Sequence, residues 1–145
     1  MAEAAVATPD GQLIATWYMR HGATFIKDYV WLTGGSKAIP ASPGVPAVPA
    51  VPGTPVDLTG WTARCEFREE IDSETVVLRL TELTGITLGS AGQVRIEVSA
   101  TQSDNLRDFT KMVADVELQS PTGFVRNLIG ATVILGKAST RAVVP

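Results

Sequence analysis

At 145 residues the chain has the length of one domain, and a hydrophobic content of 45% is enough to build a core without staples. Charged residues make up only 19%, with 12 basic against 15 acidic side chains and no local Lys/Arg cluster. This excludes the basic face that a nucleic-acid binder needs. No apolar run approaches the ~20 residues of a membrane-spanning helix.

Residues 1–11 (MAEAAVATPDG) are Ala-rich and end in a Pro-Asp-Gly turn signal. They lack the basic n-region and apolar h-region of a Sec signal and are expected to be a flexible tail. From Leu13 to Met19, LIATWYM is β-branched and aromatic, as strands are, and His21-Gly22 breaks it. ATFIKDYVWL (23–32) alternates with period two and places Phe25, Lys27, Tyr29 and Trp31 on one parity.

Proline then falls at 40, 43, 46, 49, 52 and 55, every third position. That spacing matches the polyproline II repeat and sorts the run into three stripes. One holds the prolines, one holds Ala41, Gly44, Ala47, Ala50 and Gly53, and one holds Ser42, Val45, Val48, Val51 and Thr54. Fully extended, its 16 residues would span about 50 Å at ~3.1 Å each, so a return to the same sheet requires a bend, expected at Gly44 or Gly53. The small stripe is not all glycine, which excludes collagen, and no Arg or Lys lies within the run to orient it as an SH3 ligand.

Beyond the run, TARCEFREE (62–70) reads as a half-buried strand, with Ala63, Cys65 and Phe67 inward. The acidic turn IDSE (71–74) leads to TVVLRLTEL, a short Gly85–Leu88 piece, and QVRIEVSA with Val94, Ile96 and Val98 inward. TQSDNLRDF (101–109) is the one expected helix, with Thr101 and Asp104 in a capping arrangement. KMVADVELQ, the Pro121-Thr122-Gly123 turn, FVRNLI and ATVILG complete the series as strands. Eight or so short strands with regular turn signals predict an all-β fold: an antiparallel immunoglobulin-like β-sandwich with one short helix and a Pro-rich loop insertion. Residues 12–141 form the single domain, 40–55 its insertion, and 142–145 a C-terminal tail.

Residues that could carry chemistry are sparse. His21, the only histidine, is expected as a surface turn residue. Cys65, the only cysteine, excludes an intrachain disulfide and reads as a small core residue. Glu69, Glu70, Asp72 and Glu74 cluster in a turn but lack the Gly and Asp/Asn ladder of an EF-hand, so a solvated turn is expected. Trp17, Trp31 and Trp61 could form a carbohydrate platform, with core packing the favoured reading. No P-loop, G-x-S-x-G or G-x-G-x-x-G occurs. The expectation is a non-enzyme without catalytic residues, metal or cofactor.

Several segments in order resemble a known family. They are Gly-Ala-Thr-Phe (22–25), Val-Asp-Leu-Thr-Gly-Trp-Thr-Ala-Arg (56–64), Gly-Ile-Thr-Leu (85–88) and Gly-Gln-Val-Arg-Ile-Glu-Val-Ser-Ala (92–100). Met-Val-Ala-Asp-Val-Glu-Leu (112–118) and Val-Arg-Asn-Leu-Ile-Gly-Ala-Thr-Val (125–133) complete the set. Over roughly residues 13–141 the chain is similar to the small immunoglobulin-like virion proteins of tailed bacteriophages, such as the N-terminal domain of baseplate upper proteins. The resemblance implies a structural component of a tail, baseplate or head–tail appendage. Such a component is made in the bacterial cytoplasm, carried in the virion, and contacts copies of itself and other virion proteins through sheet edges, termini and loops. It transfers no catalytic residue. The proline run, where relatives have a short turn, is the departure. Pro43, Val45, Pro46, Val48, Pro49, Val51 and Pro52 are therefore the candidate interaction residues of a projecting arm, with a stiff exposed loop without a role as the other reading of the run. Two other roles stay open: a capsid decoration protein, and a receptor-binding module for host glycans.

Overall fold

The structure, a computed structural model, describes residues 4–8, 13–34 and 38–136, with side chains from residue 13 onward. In chain order the elements are β1 (Ala4–Thr8), β2 (Leu13–Arg20), β3 (Phe25–Thr33), β4 (Thr54–Pro55), β5 (Thr62–Arg68) and β6 (Leu78–Thr81). There follow β7 (Ile86–Leu88), β8 (Gln93–Val98), α1 (Ala100–Asp104), β9 (Lys111–Gln119) and β10 (Val125–Gly136). One sheet runs β1-β3-β8-β7, with β4 added to β3, and the other runs β2-β10-β9-β5-β6. The two sheets pack face to face as an all-β sandwich.

Period-two alternation builds the inner faces. Val94, Ile96 and Val98 on β8, and Met112, Ala114, Val116 and Leu118 on β9, are buried while their neighbours face out. Each fully buried aliphatic or aromatic side chain contributes roughly 1.5–3 kcal/mol relative to an exposed one. Trp17 on β2 ties the sheets together. Its ring lies 5.7 Å from Phe25 and 6.1 Å from Phe67, and its Nε1–H donates to Tyr29 Oη on β3 at 2.7 Å. A buried indole N–H needs such a partner.

Several expectations are corrected. The sheets are mixed, because β1 lies parallel to β3 and β2 parallel to β10. Residues 4–8, expected within a flexible tail, form β1; an edge strand is held by its neighbour's backbone, which leaves little trace in the side-chain pattern. FVRNLI and ATVILG are one strand, β10. A register shift between Asn127 and Ile129 lets Leu128 and Ile129 both be buried before alternation resumes at Ala131. The helix is shorter and begins earlier than expected. Ser99 is its N-cap, in a capping box with Gln102: Gln102 N donates to Ser99 Oγ at 3.1 Å and Ser99 N to Gln102 Oε1 at 2.9 Å. The C-terminal tail lies outside the described residues.

Candidate functional site

The segment 38–56 contains no charged side chain and leaves the sandwich between β3 and β5. It folds back on itself at Pro43-Gly44. Ser42 N donates to Val45 O at 3.0 Å and Val45 N to Ser42 O at 2.9 Å, around a turn with Pro at its second position and Gly44, φ +76°, at its third. That arrangement is a type II turn, whose third residue must take positive φ. A Cβ on Gly44 would meet nothing within 4 Å, so glycine is required there by the backbone and not by space.

Three residues out on each arm the pattern repeats. Ile39 N donates to Val48 O at 2.8 Å and Val48 N to Ile39 O at 2.9 Å. Paired residues therefore recur every third position, the polyproline II repeat, where a β ladder would pair every second. This explains the proline spacing. Prolines lack an N–H, and at 40, 43, 46 and 49 they fall off the seam, leaving Ile39, Ser42, Val45 and Val48 to supply the amide donors.

The base of the arm is stitched to the sandwich. Leu32 and Thr33 pair with Pro55 and Thr54, Val56 N donates to Trp31 O at 3.0 Å, and Trp31 N donates to Gly92 O at 2.8 Å. Gly53 is there because the backbone approaches β3 too closely for a side chain: an added Cβ would stand 2.9 Å from Leu32 Cβ.

All seven candidate residues are exposed and belong to this hairpin, with Pro43 at its tip and the other six on the returning arm. Val45 and Val48 hold the seam by their backbones, and the valine side chains stay open: Val45 is 53% exposed, Val48 43% and Val51 54%. Ile39, on the outgoing arm, was missed by reading the prolines alone. It is 56% exposed and pairs with Val48. Its signal was its place three residues before Ser42.

The other candidates resolve as structural groups. His21 is buried, contrary to the surface placement expected. Gly22 makes the turn, but the ring folds inward, its Nε2 3.0 Å from Phe109 O, while its backbone N donates to Gly136 O at 2.9 Å. Cys65 is fully buried, and desolvation, with Asp115 and Glu66 adding to it, pushes its thiol far above the usual range. Glu69, Glu70, Asp72 and Glu74 are exposed around a turn closed by Ser73 N to Glu70 O at 3.0 Å. Among the described residues no group of three or more His, Cys, Asp or Glu could hold a metal ion. Trp17 and Trp31 are core residues, and half-buried Trp61 sits edge-on between Trp31 (5.4 Å) and Phe124 (6.4 Å). A shallow cleft of about 250 Å³ is lined by Gly85, Thr87, Glu97, Ser99 and Gln102, the last two already engaged in capping α1.

Neither the models of known protein families nor the curated protein sequences contain a match to this chain.

Proposed function

We propose that this chain is a non-enzymatic structural subunit of a tailed-phage virion, in the tail, baseplate or a head–tail appendage. It works by contact with neighbouring subunits, and the proline-ribbed arm is one of its docking elements. The observation that carries this reading is the arm itself: an uncharged hairpin, hydrogen-bonded along its seam, that leaves Ile39, Val45, Val48 and Val51 half open to solvent. A segment already fixed in one conformation loses little entropy when it docks, so more of its apolar burial becomes affinity. Its prolines also keep it from acting as a sticky strand edge, since they offer no amide donors.

An immunoglobulin-like topology, with residues 40–55 as an insertion between two of its strands, fits this reading. Support comes from the two facing sheets and from β2, which pairs parallel with β10, the last strand of the fold. The resemblance of several segments to tailed-phage virion proteins is the ground for the location proposed. The tryptophans do not favour the glycan-binding alternative, since none offers an open platform.

The arm can be removed cleanly. Deleting residues 38–52 leaves 34–37 and Gly53 to join the paired Thr33 and Thr54, a span within the range of ordinary hairpin loops. The deleted chain should keep its far-UV spectrum and cooperative melt and be incorporated poorly into particles. Normal incorporation would overturn the arm's role.

A further inference from the structure

The second sheet ends on β2, and no strand among the described residues pairs with its outer edge. Its eight residues, LIATWYMR, contain no proline and no charge before Arg20. Sheet edges are normally blunted by charge, proline, a bulge or shortness. Two of the other edges meet that need, β7 with three residues and β6 with four and Arg79 among them, while β1, uncharged too, has five residues against the eight of β2. The outer face divides in the same way. On β5, β6 and β9 it is an ion-pair network, with Glu66 taking Arg68 at 2.6 Å and Arg79 at 2.8 Å, and Arg64 reaching Glu117 at 2.8 Å. Toward β2 the outward positions carry no charge until Arg20, at the end of the strand. Ile14 (75% exposed) and Tyr18 (74% exposed) stand there beside Gly130 and Ile134, with Thr16 beside Thr132 between them.

The outward residues of β2 are self-complementary about Thr16. We propose that β2 pairs antiparallel with β2 of a second copy, on a two-fold axis at Thr16. In that register Thr16 faces the partner's Thr16, and Ile14 faces the partner's Tyr18. By symmetry Tyr18 faces the partner's Ile14. An aromatic–β-branched pair is among the favourable cross-strand combinations, and a two-fold axis makes it twice. On the inner face the same register sets Ala15 against the partner's Trp17 and continues the sheet across the axis. A second copy is the occupant because one strand supplies both halves of the match and no charge on β2 between 13 and 19 calls for an oppositely charged partner. This contact is independent of the arm.

The register is read directly by cysteine cross-linking of the full chain, since its own Cys65 is fully buried. Residues directly opposite in an antiparallel pair lie about 4.5–5.5 Å apart at Cα, within the reach of a disulfide. Thr16→Cys, oxidised with diamide, should give a covalent dimer. Ile14→Cys should not, because its two copies would lie about four residues apart along the strands, on the order of 13 Å. Separately, Ile14→Lys/Tyr18→Lys places like charges opposite each other twice and should raise the dimer dissociation constant at least about tenfold by sedimentation. Ile14→Glu/Tyr18→Lys places each carboxylate opposite the partner's ammonium and should restore dimers. Both positions point into solvent, so melting midpoints should stay close to that of the native chain. A native chain that sediments as a monomer, equal cross-linking at 14 and 16, or a double-lysine variant as dimeric as the native chain would overturn the proposal.

Discussion

The seam of the arm makes a prediction that depends on phase. Val48 donates its amide to Ile39 O at 2.9 Å, whereas the amide of Ala47, one residue earlier, has no acceptor among the described residues. Val48→Pro and Ala47→Pro are thus the same chemical change in an arm already rich in proline, and only the first cuts the seam. A backbone hydrogen bond contributes about 0.5–1.5 kcal/mol net, which corresponds to a two- to twelvefold change in the local opening equilibrium. Val48→Pro should speed hydrogen exchange of the Ile39, Ser42 and Val45 amides by that factor and leave core amides such as Val116 unchanged. Ala47→Pro should leave these rates alone or slow them, since proline in a compatible conformation removes freedom from the opened arm. Amide exchange followed by NMR on both variants decides the point. Equal acceleration in both, or none in Val48→Pro, would refute a seam of period three.

Two further predictions concern the sandwich. Tyr29→Phe removes the acceptor of the buried Trp17 Nε1–H and should cost about 1–3 kcal/mol in denaturant unfolding; a loss within error of zero would mean that bond contributes nothing. Burial pushes the Glu66 carboxyl up, but hydrogen bonds from Arg68 and Arg79 and the charges of Arg79 and Arg64 outweigh it, so its pKa is lowered on folding. A carboxylate whose pKa is lowered by folding stabilises above its unfolded pKa, and that contribution fades as pH falls through the folded value. Glu66→Gln should therefore be about 1 kcal/mol less stable than the native chain at pH 7, in a partly solvated network, with the gap closing toward pH 2. A gap that stays constant across that range would contradict the charge argument.

What was legible in the sequence was local. Alternation in QVRIEV gave β8 with Val94, Ile96 and Val98 inward, alternation in KMVADVELQ gave the strand β9, and Pro121-Thr122-Gly123 gave the turn between β9 and β10. The proline spacing has the same three-residue period as the paired positions 39/48 and 42/45, and Gly44 is one of the two bends expected. Features that depend on distant partners were not legible. Which residue sits across the seam from Val48 is fixed by the fold-back and not by any motif, and nothing in the runs themselves reveals that β1 and β2 pair parallel to their neighbours. His21 went wrong for a related reason. His-Gly does mark a turn, but the ring's position depends on Phe109, 88 residues away. The helix start was missed because Thr101 to Asp104 mimics a capping pattern, while the working box is Ser99 with Gln102.

The role proposed for the proline-ribbed arm is that of a contact element in an assembled particle. A cryo-electron microscopy reconstruction of phage particles carrying this chain, with residues 38–56 traced, tests it most directly. The Ile39, Val45, Val48 and Val51 side chains should lie covered by a neighbouring subunit, with the hairpin and its turn at Gly44 intact. An arm traced as an ordered hairpin standing free in solvent at every copy would contradict it.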